Sequence, residues 1–577
     1  MRTSLGRHSG KLALGTALGL SIAGVSLAQP GPVYVDQGSA WTQAARTDFY
    51  SRDQGSRIIP LAWLRALKTA SGQPFLHDGL ARYGYLPNPN GSFNLPVGFM
   101  AVGAAGRQDA AMNCSACHTR QIAVGGTEYR IDGGPALTDF QAFLTDLDAA
   151  VGRVLADNAA FAAFAAAVPG GGPDLRQEVA AWYRREHALI SGALPPGDKQ
   201  WGLGRLDAVS MIYNRLTAMD LGPPPSYMID GNIRLANAPV RYPFLWNAPT
   251  QDRTQWPGFA ENGSDVLALA RNLGQVYGVF GVYRPRRQGD RVDFLTGNST
   301  DWRGLERLES LVMRIGPPQW PWPVTTEQQQ RAERGRAIFE RPDWRAGGCV
   351  GCHGIRPGVF RPNLNPPRLN ATWATPLCDI GTDTAQYGIL DRRAHTGVLE
   401  GARLPFGPPL GEDARAFDLL KASVIGSIVQ RYFVVSPYHY ANWTIPLSRR
   451  ARGVLDAYAP PSDNLCSDQP GPLRYESRVL QGIWATAPYL HNGSVPTLAD
   501  LLTRPQNRPA SFRLGRNYDT ALVGLARDQG ASTAVRTTTG CDRPDSGNSR
   551  CGHDFGTNLS ATEKAELLEY LKTLGTR

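Results

Sequence analysis

Two short clusters govern what this chain can fold into: Cys114-Ser-Ala-Cys117-His118 and Cys349-Val-Gly-Cys352-His353. Each is a C-x-x-C-H pentapeptide, the attachment site of a c-type haem. The spacing has a physical reason. Two cysteines three apart at the end of a helical turn each form a thioether with one haem vinyl, and the next residue turns its imidazole to the iron as proximal ligand. One such pentapeptide in a chain of 577 residues could be chance; two predict two covalently bound haem c groups, with His118 and His353 on the irons. A zinc site would need a third and fourth thiolate or histidine at finger-like spacing, and none follows either cluster. A thioredoxin-like dithiol would need a strand before a helix, and no β-branched run precedes either cluster.

The compartment fits this chemistry. Arg2, Arg7 and Lys11 precede an apolar stretch over 12–27, and Ser26-Leu27-Ala28 offers small residues where a signal peptidase reads. Residues 1–28 therefore read as a cleaved secretory signal, with a retained anchor as the alternative. The mature chain is expected to be periplasmic or secreted, where disulfides persist. No later run reaches the ~18 apolar residues of a membrane span. The other four cysteines are Cys378, Cys466, Cys541 and Cys551. Cys541 and Cys551 close a short loop rich in Gly, Ser, Asp and Pro, so they are the expected pair, leaving Cys378 with Cys466. Free buried thiols are the alternative.

Charge excludes one class of partner. The net charge is +10, but the positive charge is mostly arginine, interleaved with acids, with no basic run that would track a phosphate backbone. Nucleic acid is therefore not expected. Buried arginines can instead pair with carboxylates, including those of a cofactor.

The haem clusters lie far apart, so each is assigned its own domain: 29–320 with the first and 321–577 with the second. The boundary falls at the proline-rich stretch 317–323, which cannot be helix interior. Past it, 325–339 reads as a helix with Thr325 as cap, Gln328 three residues on, and Ala332, Gly335, Ile338 and Phe339 on one face. Near the C-terminus Ser560-Ala-Thr-Glu563 is a capping box, followed by Leu567, Leu568, Leu571 and Leu574 at helical spacing. These two helices should pack and close a cytochrome fold. Just upstream lies His553-Asp-Phe555-Gly556. Many small c-type cytochromes carry a methionine ligand ahead of a Phe-Gly turn, and here His553 stands one residue closer to that turn. It is the candidate distal ligand of the second haem; a surface histidine at a turn is the alternative. The first half offers no such ligand. His187 reads as a solvated helix residue, and Met211, Met219 and Met228 as fillers of core gaps. An open first haem beside a closed second one suits an enzyme with a built-in electron relay.

Longer motifs carry a resemblance. They include Ile131-Asp-Gly-Gly-Pro-Ala136, Trp201-Gly-Leu-Gly-Arg205-Leu-Asp207, Leu245-Trp246-Asn247, Gln255-Trp256-Pro-Gly258 and Arg271-Asn272-Leu-Gly274. The most specific is Gly482-Ile-Trp484-Ala-Thr-Ala-Pro488-Tyr-Leu-His491-Asn-Gly-Ser494. With the two haem clusters, they make nearly the whole mature chain resemble the dihaem cytochrome c peroxidase/MauG superfamily, in its rubber-oxygenase-like branch. The resemblance implies an open first haem and His553 on the second. It also implies a tryptophan between the haems that passes electrons or holes, here Trp256, with Trp246 as runner-up. By the same analogy Arg205 pairs with a haem propionate, held by Asp207, and His491 lies beside the second haem. The chain departs from the family as well. It is shorter than the rubber oxygenases of that branch, so polyisoprene cleavage does not carry over. The glutamine and glutamate that work on peroxide in peroxidase members have no clear equivalents, although Gln255 and Glu261 lie in the right neighbourhood.

The expectation is thus a mainly α fold of two cytochrome-c-like domains with long loop insertions. Its first haem would activate peroxide or dioxygen, its second would relay electrons, and an organic substrate or a small redox protein would be the partner. A pure electron carrier would need both irons six-coordinate. A haem-based sensor would bind a gas without turnover.

Overall fold

Sixty-three glycines and 44 prolines keep most elements of this chain short. The computed structural model describes residues 31–289, 291–364, 367–403, 408–434 and 474–574. The expected leader, 1–28, and Cys466 lie outside the described residues.

The chain is not mainly α, nor do two cytochrome-c-like domains stand out. The described residues are 37% helical and 18% strand, with many small sheets among them. Eight of these are two-stranded and two are three-stranded. In one, β1 (Val33–Tyr34) runs parallel to β5 (Thr127–Asp132), which pairs antiparallel with β4 (Thr119–Val124). In the other, β2 (Phe99–Val102) and β3 (Asp109–Met112) form the longer pair. The longest hairpin joins β6 (Pro357–Leu364) to β7 (Pro367–Trp373). The β4–β5 turn is Gly125-Gly126, both at positive φ, the backbone a two-residue hairpin turn of this twist requires.

Two long helices, α1 (Phe140–Ala156) and α2 (Leu175–Ala193), bury Phe143, Leu147 and Leu189 in the first core. A further helix, α3 (Asp265–Gly278), serves a separate core with Leu269, Leu273 and Tyr277. The second core gathers residues from Val35 to Leu571, and so joins segments on both sides of residue 320. Among the described residues no single helix is long and apolar enough to cross a membrane.

Two helices frame the second Cys-x-x-Cys-His cluster. In α4 (Thr326–Phe339) the Thr325 hydroxyl accepts from the Gln328 amide and the Gln328 side chain accepts from the Thr325 amide. The Ser560 and Glu563 pair caps α5 (Ala561–Thr573) in the same way. Each box satisfies two otherwise unpaired N–H groups. Gly335 makes the crossing possible: a Cβ there would lie 2.0 Å from the carbonyl oxygen of Glu566. Phe339 and Tyr570 pack at 5.3 Å between ring centroids, and Arg341 reaches Glu563 at 2.8 Å.

Candidate functional site

The second cluster sits on a single helical turn. His353 and Cys352 donate their amides to the Cys349 carbonyl at 2.9 and 3.1 Å. The turn thereby sends both thiols and the imidazole toward one cleft of about 1300 Å³, its open mouth included. Its wall is largely apolar and includes Phe244, Trp256, Leu498, Leu502 and Phe555. His553 lines the opposite side.

The two histidines meet the geometry of an axial pair. Their ring centroids are 6.2 Å apart. Metal–imidazole bonds of about 2 Å on each side, plus about 1 Å from each nitrogen to its ring centre, demand roughly this separation. His353 Nδ1 lies 2.7 Å from the Arg478 carbonyl. A carbonyl only accepts, so Nδ1 carries the proton and Nε2 is left bare for a metal. His553 Nδ1 is buried without a hydrogen-bond partner. Burial holds His353 below the usual imidazole range; burial first, then the nearby His353 and Arg508, brings His553 down to about 3. Both are therefore neutral, as metal ligands must be.

His553 is held in an unfavourable backbone state. Its φ is +51°, a region that non-glycine residues seldom occupy. Three devices keep it there. Its amide donates to the Ile380 carbonyl at 2.9 Å. Arg508 donates to the carbonyls of Arg550, Gly552 and His553 at 2.8, 2.7 and 3.0 Å. The disulfide Cys541–Cys551 anchors the loop two residues upstream. Cys378 is also disulfide-bonded.

The first cluster is built alike but opposed differently. Asn113 caps its turn: Oδ1 accepts from the Ser115 amide at 2.9 Å, and Nδ2 donates to the carbonyls of Phe49 and Arg52. Gly98 admits the turn, since a Cβ there would lie 2.1 Å from the Ala116 nitrogen. His118 Nδ1 lies 2.9 Å from the Pro243 carbonyl, which again leaves Nε2 bare. Burial brings this imidazole down to about 4. Among the described residues the ring packed against His118 is that of Tyr242, at 6.0 Å, with no second histidine.

The other readings of the clusters fare worse. Cys114, Cys117 and Cys349 form no disulfide. Burial pushes Cys114, Cys117 and Cys349 up to about 12, the opposite of a redox-active dithiol. Among the described residues no three His, Cys, Asp or Glu side chains converge as metal donors, so a tetrahedral zinc set is not assembled.

The remaining candidates divide. Trp256 is in the cleft wall; its indole donates to the Arg241 carbonyl at 3.0 Å and lies 6.4 Å from the His491 ring. His491 is buried there too, stacked on Tyr475 at 4.2 Å. Trp246 is fully buried away from the cleft wall, stacked on Phe244 at 4.8 Å with its indole donating to the Gln481 carbonyl at 2.8 Å. Arg205 is buried and donates to the Trp201 carbonyl at 2.8 Å and to Asn548. Asp207 does not hold it. That carboxylate accepts instead from the amides of Ser210 and Ala238, at 3.1 and 2.9 Å. Gln255 takes a positive φ in the turn before Trp256. Glu261 is exposed and faces Arg361 at 3.7 Å. His187 is half-exposed and binds Asp148 at 2.9 Å, while Met211 and Met219 are buried in the first core.

Three charged residues in the cleft wall were not singled out from the sequence. Arg241 donates to the carbonyls of Leu490 and Thr486 at 2.8 and 3.3 Å. Glu476 and Arg478 form a buried ion pair at 3.1 Å; its atoms are not aligned as a hydrogen bond, and both carboxylate oxygens lack such a partner. Burial pushes the Glu476 carboxyl up to about 7. The arginines of this chain are too evenly spread for any one to signal such a place.

Comparison with known proteins adds the following. Residues 474–513 match the family model described as RoxA-like, cytochrome c-like. That stretch contains Tyr475, Glu476, Arg478 and His491 of the cleft wall. The uncharacterized protein y4iJ of Sinorhizobium fredii is 29% identical over 601 residues, covering 92% of each chain. The uncharacterized protein y4iM of the same organism is 40% identical over 408 residues, covering 67% of this chain and 74% of that protein.

Proposed function

We propose that this chain, which belongs to one family with the y4iM protein of Sinorhizobium fredii and is related to RoxA-like cytochromes c, is an exported dihaem oxidoreductase. In this reading the first haem activates peroxide or dioxygen and the second relays electrons. The observation that carries it is the asymmetry of the two Cys-His turns. A second histidine ring lies 6.2 Å from His353, whereas among the described residues no histidine ring packs against His118. Closed axial positions suit electron transfer and open ones suit chemistry.

The haems, when bound, supply the redox chemistry. The protein supplies the rest. Cys114, Cys117, Cys349 and Cys352 would hold the porphyrins through thioethers. The Pro243 and Arg478 carbonyls orient the proximal imidazoles. The apolar cleft excludes water from the second site. Arg241, a cation in the cleft wall whose guanidinium donates to the Leu490 and Thr486 carbonyls, offers a propionate its counter-charge. Arg205 is assigned the same task toward a propionate, and Trp256, in the cleft wall, is assigned the passage of charge. The disulfide Cys541–Cys551 supports an oxidising compartment.

The test is turnover. Reduction of one hydrogen peroxide to two waters consumes two electrons and two protons, so consumption of a one-electron donor should track peroxide loss at two to one. Oxygenase action would instead consume dioxygen with an apolar organic substrate. Trp256→Phe should lower either rate at least tenfold while leaving the haem content unchanged. Absence of both activities would leave the second reading, an electron-transfer cytochrome.

A further inference from the structure

The two proximal histidines do not stand independently. His118 gives its Nδ1 proton to the Pro243 carbonyl at 2.9 Å. The next carbonyl along, that of Phe244, accepts from Arg478 Nη1 at 2.7 Å. The carbonyl of Arg478 itself accepts from His353 Nδ1 at 2.7 Å. A single residue therefore supplies the carbonyl that supports His353 and binds the carbonyl next to the one that supports His118.

Arg478 is itself tightly placed. Its guanidinium lies 4.4 Å from the Phe244 ring centre and 5.9 Å from that of Trp256. Nη2 donates to Gln251 at 3.2 Å, and Nε faces Glu476. All of this is buried, where hydrogen bonds polarise one another more strongly than in water. A bond from a charged donor is also about twice as strong as a neutral one.

We propose that Arg478 is the positioning residue that couples the two iron-ligating histidines, through its carbonyl on His353 and its guanidinium on the peptide beside the Pro243 carbonyl. The proposal depends on the two-haem reading above. The hydrogen bond on the outer nitrogen of a metal-bound imidazole tunes the metal. A change of charge at one iron alters that bond and reaches the other imidazole through residue 478. Coupling of this kind is reciprocal.

The experiment is an optical and EPR redox titration of the holoprotein, one electron per haem, following each haem separately. In the wild type, reduction of the second haem should displace the midpoint of the first. Arg478→Gln combined with Glu476→Gln removes the guanidinium without leaving a lone buried charge; it should keep two haems and lose at least half of that displacement. Glu476→Gln alone leaves the three hydrogen bonds in place and should retain it. Where the double variant does not load haem, Arg478→Lys serves, since it keeps the charge but not the fork, and should reduce the displacement measurably. A double variant with two haems and more than half of the displacement overturns the proposal, as does an unchanged displacement in Arg478→Lys or a wild type with none. Fewer than two haems per wild-type chain, counted by the pyridine haemochrome, instead overturns the dihaem reading itself.

Discussion

His553 shows what one residue costs and why it is kept. A non-glycine side chain at φ +51° stores backbone strain that the surroundings must hold, and Arg508 does so with three carbonyls while the Cys541–Cys551 disulfide closes the loop. Such residues cluster at functional sites. Truncation tests the assignment: His553→Ala should turn the second haem from low-spin to a state that binds carbon monoxide, so that reduced protein takes up two carbon monoxide molecules instead of one. His491 makes a different prediction. It is buried, ligates nothing in this account, and is brought down to about 3 by burial and then by Arg241. A depressed imidazole contributes stability that is present above its unfolded pKa of about 6.5 and lost as pH falls toward its folded value. Urea midpoints should therefore fall between pH 6.5 and 4, with a share of up to about 1.4 kcal/mol per pH unit from this residue. His491→Gln should flatten that fall. His553 can be picked out in the sequence as a candidate because a Phe-Gly turn follows it. Arg478 and Glu476 cannot, because a buried ion pair leaves no spacing to read.

Among the elements, caps and glycines were readable and short strands were not. Thr325 with Gln328, and Ser560 with Glu563, are local codes that do not depend on tertiary context, and both helices form where the codes place them. Gly335 was legible as part of an apolar face. Its close approach to the Glu566 carbonyl was not, because that needs the partner helix. Gly335→Val should force α4 and α5 apart and cost about 1–3 kcal/mol, read as a lower urea midpoint together with a weakened second-haem signal. Strands fared worse for a physical reason. Most are two to four residues long, too short for alternation to register. The longest hairpin carries Pro357, Pro362 and Pro367 within its strands, residues that argue against a strand. The Gly125-Gly126 turn between β4 and β5 is a hairpin signal legible in the sequence. The mainly α expectation fell on those sheets.

At the scale of the whole molecule, the segment most specific in the sequence, 482–494, lies inside the stretch that matches the RoxA-like cytochrome c family, and His491 within it forms part of the cleft wall. The second core joins residues from both ends of the chain, so that wall is assembled by long-range packing that no local pattern encodes. The central claim is that one chain holds two haems with unlike axial ligation. EPR of the oxidised, purified protein, repeated after dithionite and carbon monoxide with optical detection, tests it most directly. The account predicts one low-spin bis-histidine signal that persists and one haem that binds carbon monoxide. Two low-spin haems that ignore the ligand in every redox state would contradict it.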